Sequence, residues 1–132
     1  MSSNRHFSPE EMAPAFGPYS HAVEVPAGAR TLHIAGQVGV ERDGTLPPDA
    51  AAQTARIFDN IDLILRAAGM GPEDIVKLNF FVVSSDDLPE IRRVRDSRLK
   101  EPFPAMSLVL VPKLGRPEWR LEVDGIAARS DI

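Results

Sequence analysis

The chain has 132 residues, a formal net charge of −4 and no cysteine. That length supports a single hydrophobic core, and the missing thiols exclude disulfides, thiolate nucleophiles and thiolate metal sites. No stretch is apolar for long enough to cross a bilayer, and Met1-Ser2-Ser3-Asn4-Arg5-His6 lacks the apolar run of a signal peptide. With an acidic balance that repels polyanions, the expectation is a cytoplasmic domain without membrane or nucleic-acid partners.

Residues 1–16 are polar and proline-bearing, and 1–12 reads as a loose arm of one domain spanning 1–132. His21-Ala22-Val23-Glu24-Val25 and Thr31-Leu32-His33-Ile34-Ala35 both alternate around Pro26-Ala27-Gly28, which predicts an antiparallel hairpin. From Asp49 to Ala68 the period becomes helical: Ile57, Ile61, Ile64, Leu65 and Ala68 share a face, with Asp49 as N-cap and Gly69 just past the end. Ile75 to Val83 is rich in β-branched and aromatic residues and reads as a central strand. A second helix is expected from about Pro89 to Lys100, with Leu88, Ile91, Val94, Arg95 and Leu99 inward. Strands at Ala105–Val111 and Trp119–Ala127 complete a ββαβαββ order. This is an α+β fold: one mixed sheet with two helices on one face, so the other face needs a cover, which predicts oligomerisation.

Four runs stand out: Gly17-Pro18-Tyr19-Ser20, Ala35-Gly36-Gln37-Val38, Pro104-Ala105-Met106-Ser107, and Leu121-Glu122-Val123-Asp124-Gly125-Ile126-Ala127. Together, over about residues 13–128, they resemble the RidA/YjgF family, in older naming the endoribonuclease L-PSP or translation-initiation-inhibitor family. Its typical members carry GPYSQA, SGQ, P-x-R-S and VEIEAIA in this order. The resemblance implies a chorismate-mutase-like fold, a homotrimer whose sheets surround a central barrel, and a small-molecule site at each subunit boundary.

Glu122 and Asp124 share one strand face, opposite Leu121 and Val123. Two carboxylates there are either solvated or paired with arginine, or else one is half-buried and poised to exchange protons with water. In the family the first glutamate of VEIEAIA helps position the attacking water, and that position is Glu122. Tyr19 corresponds to the tyrosine over the ligand; its bland reading is a packing residue. Gly36 marks either a close backbone approach or a bulge, and Ala35 replaces the usual serine hydroxyl.

Met106 falls where the resemblance places the arginine that grips a substrate carboxylate. Such a pair is bidentate, at about 1.5–3 kcal/mol per charged hydrogen bond. Losing two bonds weakens a carboxylate ligand on the order of a hundredfold or more. Met106 is otherwise a core residue at a strand start; either way, 2-imino acids are poor substrates. Arg92, where relatives have asparagine, is a candidate replacement, against a solvated face formed by Arg92, Arg93, Arg95, Arg98 and Lys100. Those arginines are also the only case for RNA, and interleaved Glu90, Asp96 and Glu101 weaken it.

His6, His21 and His33 lack metal-ligand spacing, so neither metal nor cofactor is expected. The reading is therefore a small-molecule-binding protein that hydrolyses an imine, enamine or related group. In it, Glu122 orients water, Tyr19 packs on the ligand, and Ala35, Gly36, Arg92, Met106 and Ser107 line the site. The alternative is a non-catalytic, ligand-binding regulatory trimer, and an endoribonuclease-type translation inhibitor ranks third.

Overall fold

The computed structural model describes residues 3–131. It contains β1 (Arg5–Phe7), β2 (Ala22–Glu24), β3 (Arg30–Gln37), α1 (Ala50–Ala67), β4 (Ile75–Val82), α2 (Leu88–Arg98), β5 (Ala105–Leu110) and β6 (Leu121–Arg129). Short 3-10 turns at Pro72–Asp74 and Ser85–Asp87 precede β4 and α2.

The main sheet has the order β3-β6-β4-β5. β4 and β5 are parallel and joined through α2, whereas β6 runs antiparallel to both β3 and β4. The crossover through α1 carries the chain from β3 to β4 but leaves a slot between them, and the last strand fills it. The result is an α+β fold with a mixed four-stranded sheet and two helices.

Helix α1 starts and stops where its sequence dictates. Asp49 Oδ1 accepts the Ala52 N–H at 2.7 Å. At the other end Gly69 adopts φ 71°, a conformation that favours glycine. The Gly69 and Met70 N–H groups return to the Arg66 and Leu65 carbonyls at 3.0 and 2.9 Å, closing the helix and folding Met70 into the core.

The covered face of the sheet presents Ile34, Leu78, Phe80, Val82, Leu121 and Val123 to Ile57, Phe58, Ile61, Leu65 and Ile91 of the helices. Each such side chain contributes about 1.5–3 kcal/mol of transfer free energy. Gln53 is a polar exception, 1% exposed within this layer. Its Nε2 donates to the Pro47 and Glu118 carbonyls at 2.9 and 3.2 Å, and its Oε1 accepts the Arg120 N–H at 3.0 Å. One side chain thereby ties α1 to the loop entering β6, two residues before Glu122.

Several expectations need correction. The 21–25 and 31–35 segments do not pair as a hairpin; β2 pairs antiparallel with β1, and β3 with β6. The arm expected at 1–12 is therefore partly structured. Its polar sequence hides a short strand fastened by an Arg5–Glu24 ion pair at 3.7 Å and by Arg5 stacked 4.3 Å from the Phe7 ring. Asn4 beside it is buried, and its Nδ2 donates to the Ala128 carbonyl at 3.0 Å. The last strand begins at Leu121 rather than Trp119, because Trp119 turns back over Gly115, with the Arg116 guanidinium 5.7 Å from its ring.

Candidate functional site

The uncovered sheet face carries the polar residues that strand alternation assigns to it. Asn79 Nδ2 donates to Asp124 Oδ1 at 2.8 Å, and Lys77 Nζ to Ser107 Oγ at 3.1 Å. Glu122 lies on this face opposite Phe81, while its neighbours Leu121 and Val123 are fully buried on the other. Asp124 is satisfied by Asn79, but the Glu122 carboxylate is half-buried and has no hydrogen-bond or ion-pair partner among the described residues. The arginine pairing considered for it is not made.

Gly36 explains where that carboxylate sits. The β3–β6 register slips between Ile34 and Gln37, so Ala35 and Gly36 together oppose the single residue Asp124. This is a β-bulge, one of the two readings open for Gly36. A Cβ at position 36 would collide with Glu122 Oε2 and stand 2.7 Å from its Cδ. The glycine vacates the volume that the carboxylate occupies. Ala35 is exposed, and its carbonyl accepts from Gln37 Nε2 at 3.2 Å.

Tyr19 belongs to a second group at the other edge of the sheet. Its hydroxyl accepts the Phe16 N–H at 3.2 Å, and its ring centroid lies 5.6 Å from that of His21. Ser20 fastens this turn to the run entering β5: its N–H donates to the Pro104 carbonyl at 3.0 Å and its hydroxyl to the Phe103 carbonyl at 2.7 Å. Met106 pairs with Leu78 and packs against the core, whereas Ser107 pairs with Asn79 on the uncovered face. The residues singled out in sequence thus fall into two clusters, Gly36–Glu122 on β3 and β6, and Tyr19–Met106 beside β5.

Within one chain these clusters do not share a cavity that the structure displays. A cavity of about 480 Å³ is lined by Phe58, Asp62, Ile75, Arg98 and Leu99, and a shallower one of about 410 Å³ by His6, Ser20, Glu101 and Phe103. Pro104 connects the first of them to the motifs and Ser20 the second.

The α2 arginines resolve into different roles. Arg93 pairs with Glu90 at 2.8 Å, and Arg98 with Asp59 and Asp62 at 2.8 and 3.1 Å. A basic stripe for RNA is thereby largely spent on carboxylates. Arg92 is exposed without a partner among the described residues, whereas Arg95 is 9% exposed and turned inward. Sequence reasoning placed Arg95 on the apolar stripe but gave it no site role; its charge on that stripe was the available signal. Among the described residues no three His, Cys, Asp or Glu side chains could jointly hold a metal ion, and no helix is long and apolar enough to cross a membrane.

The family model described as Endoribonuclease L-PSP matches residues 10–129. This chain belongs to the RidA/YjgF/L-PSP family. It is 34% identical over 124 residues to the 2-iminobutanoate/2-iminopropanoate deaminase of Escherichia coli K12, covering 90% of this chain and 94% of that protein. Among solved structures, a Rid-family protein from Yersinia pestis, YyfB, whose function is unknown, superposes with TM-score 0.84 at 37% identity. The match covers 94% of this chain and 97% of that one. Escherichia coli TdcF, solved with bound serine, gives TM-score 0.72 at 28% identity over 96% and 99% of the two chains. The RidA-family architecture accounts for the mixed sheet and its two covering helices.

Proposed function

We propose that this RidA-family chain assembles as a homotrimer and binds a small molecule where one subunit's Tyr19–Met106 edge meets its neighbour's Gly36–Glu122 edge. There it hydrolyses an imine, enamine or related group. The observation carrying this reading is the Glu122 carboxylate: half-buried, unpartnered among the described residues, and seated in the volume left by Gly36 on a face that no helix covers. Such a group accepts a hydrogen bond from water and takes its proton as the water attacks a C=N carbon. Backbone N–H groups near Gly36 and Ser107 would polarise the group under attack, and Tyr19 would form the wall. Relatives named 2-iminobutanoate/2-iminopropanoate deaminases support the reaction class, and serine bound to TdcF supports a small polar ligand.

Met106 sets the substrate range. It stands at the place of the family's carboxylate-gripping arginine, and a thioether packed against the core offers no countercharge. The same observation favours a second reading, a regulatory trimer that keeps the pocket without the chemistry. Glu122→Gln separates the two. Loss of turnover on a screened imine, with binding retained, supports the hydrolase. If wild type and variant bind the same ligand and neither turns over any member of the panel, the regulatory reading stands.

A further inference from the structure

Arg95 carries more charge than its surroundings consume. It lies on the inner side of α2 with Ile91 and Val94, which are 0% and 8% exposed, and is itself 9% exposed. A guanidinium in such a position is costly unless its donors are met. Its partner is Asp96, whose Oδ1 accepts from Nε at 2.9 Å and whose side chain is 52% exposed. Neither Nη group finds an acceptor among the described residues. Nη2 lies 3.6 Å from where a Cβ on Gly17 would stand, so the guanidinium borders the turn that carries Tyr19. Ser20 binds that turn to Phe103 and Pro104, immediately before Ala105 and Met106.

We propose that the Nη1–Nη2 edge of Arg95 holds a carboxylate, or another planar anionic group, of the ligand. This inference rests on the small-molecule site proposed above and names the chemical class that it takes. A guanidinium fork matches a carboxylate bidentately, and here that edge is preorganised by burial and by the Asp96 bond on Nε. Arg93 and Arg98 are committed to carboxylates, and Arg92 points to solvent. Arg95 is thus the arginine of α2 with donors to spare beside the Tyr19 turn. The anion is then anchored from the helix side, displaced from position 106, which favours ligands whose charge and reactive carbon are separated.

The test uses the full chain and two stable carbonyl probes, 2-oxobutanoate and 4-oxopentanoate, each against its methyl ester, with affinities from calorimetry or ligand-observed NMR. Wild type is expected to prefer acid over ester by about tenfold or more for at least one probe. Arg95→Gln abolishes that preference while ester binding persists, and Arg95→Lys restores part of it. Asp96→Asn, which removes a competing carboxylate, tightens acid binding by about threefold without affecting the ester. Equal acid and ester affinities in wild type, or a preference unchanged in Arg95→Gln, overturns the role of Arg95 alone. If Arg95→Gln does not fold, unchanged acid affinity in Asp96→Asn overturns it. Failure of wild type to bind any of the four probes overturns the ligand-site reading itself.

Discussion

Replacing Gln53 by leucine tests how the buried layer positions the strand that carries Glu122. The side chain makes three hydrogen bonds, to the Pro47 and Glu118 carbonyls and from the Arg120 N–H, while being 1% exposed. At about 1 kcal/mol net for each bond, their loss costs roughly 3 kcal/mol. The more apolar leucine, of similar volume, returns about 1 kcal/mol. A net destabilisation of about 2 kcal/mol follows, or a fall in Tm of roughly 6–10 °C for a domain of this size. Urea unfolding at constant protein concentration measures it, since the proposed assembly would make apparent stability concentration-dependent. Because Arg120 precedes Glu122 by two residues, the variant should also turn over any identified substrate more slowly at temperatures where it remains folded. A midpoint shift equivalent to less than about 0.5 kcal/mol would refute the idea that Gln53 staples α1 to β6.

Gly36→Ala should displace the Glu122 carboxylate and reduce turnover at least about tenfold, with destabilisation below about 1 kcal/mol because the site is at the surface; unchanged kinetics would show that the carboxylate does not work from that position. A standard 2-iminopropanoate assay on the wild type should give activity far below that of the relatives named 2-iminobutanoate/2-iminopropanoate deaminases, and robust turnover would refute the role proposed for Met106. The Thr45 backbone N–H and hydroxyl donate to Asp43 Oδ1 at 3.0 and 2.7 Å, holding that carboxyl below the ordinary 3.8. A depressed folded-state value stabilises the turn above pH 3.8 and loses that contribution as pH falls through the folded value. NMR titration should therefore give Asp43 a midpoint below 3.8, and one at or above it would contradict the geometry.

Periodicity made both helices, β4 and β6 legible, because each buries one face: Ile57, Ile61 and Leu65 at helical spacing, and Leu121, Val123 and Ala127 at strand spacing. β5, which buries none of its residues, was legible from its apolar composition instead. The N-terminal pairing was not legible. Arg5–Phe7 is three residues long, and its attachment depends on a partner seventeen positions away, a contact that no local pattern encodes. Register carried the most consequential hidden fact. That Gly36 opens a bulge for the Glu122 carboxylate needs two strands far apart in sequence to be laid side by side. The burial of Arg95 was legible from its place on the apolar stripe with Ile91 and Val94. What stayed hidden was that Arg93 and Arg98 are spent on carboxylates while the Arg95 Nη groups find no acceptor among the described residues.

Tyr19 and Arg95 cluster by β5 at one edge of the sheet, and Glu122 lies over β3 toward the other. If each pocket borrows one cluster from either neighbour, two separately impaired variants can rescue one another on an anionic substrate. Every hybrid ring of Glu122→Gln and Arg95→Gln protomers contains one junction at which both donors are intact. Co-expressing the pair would then recover part of the lost function, as no pocket contained within one polypeptide can.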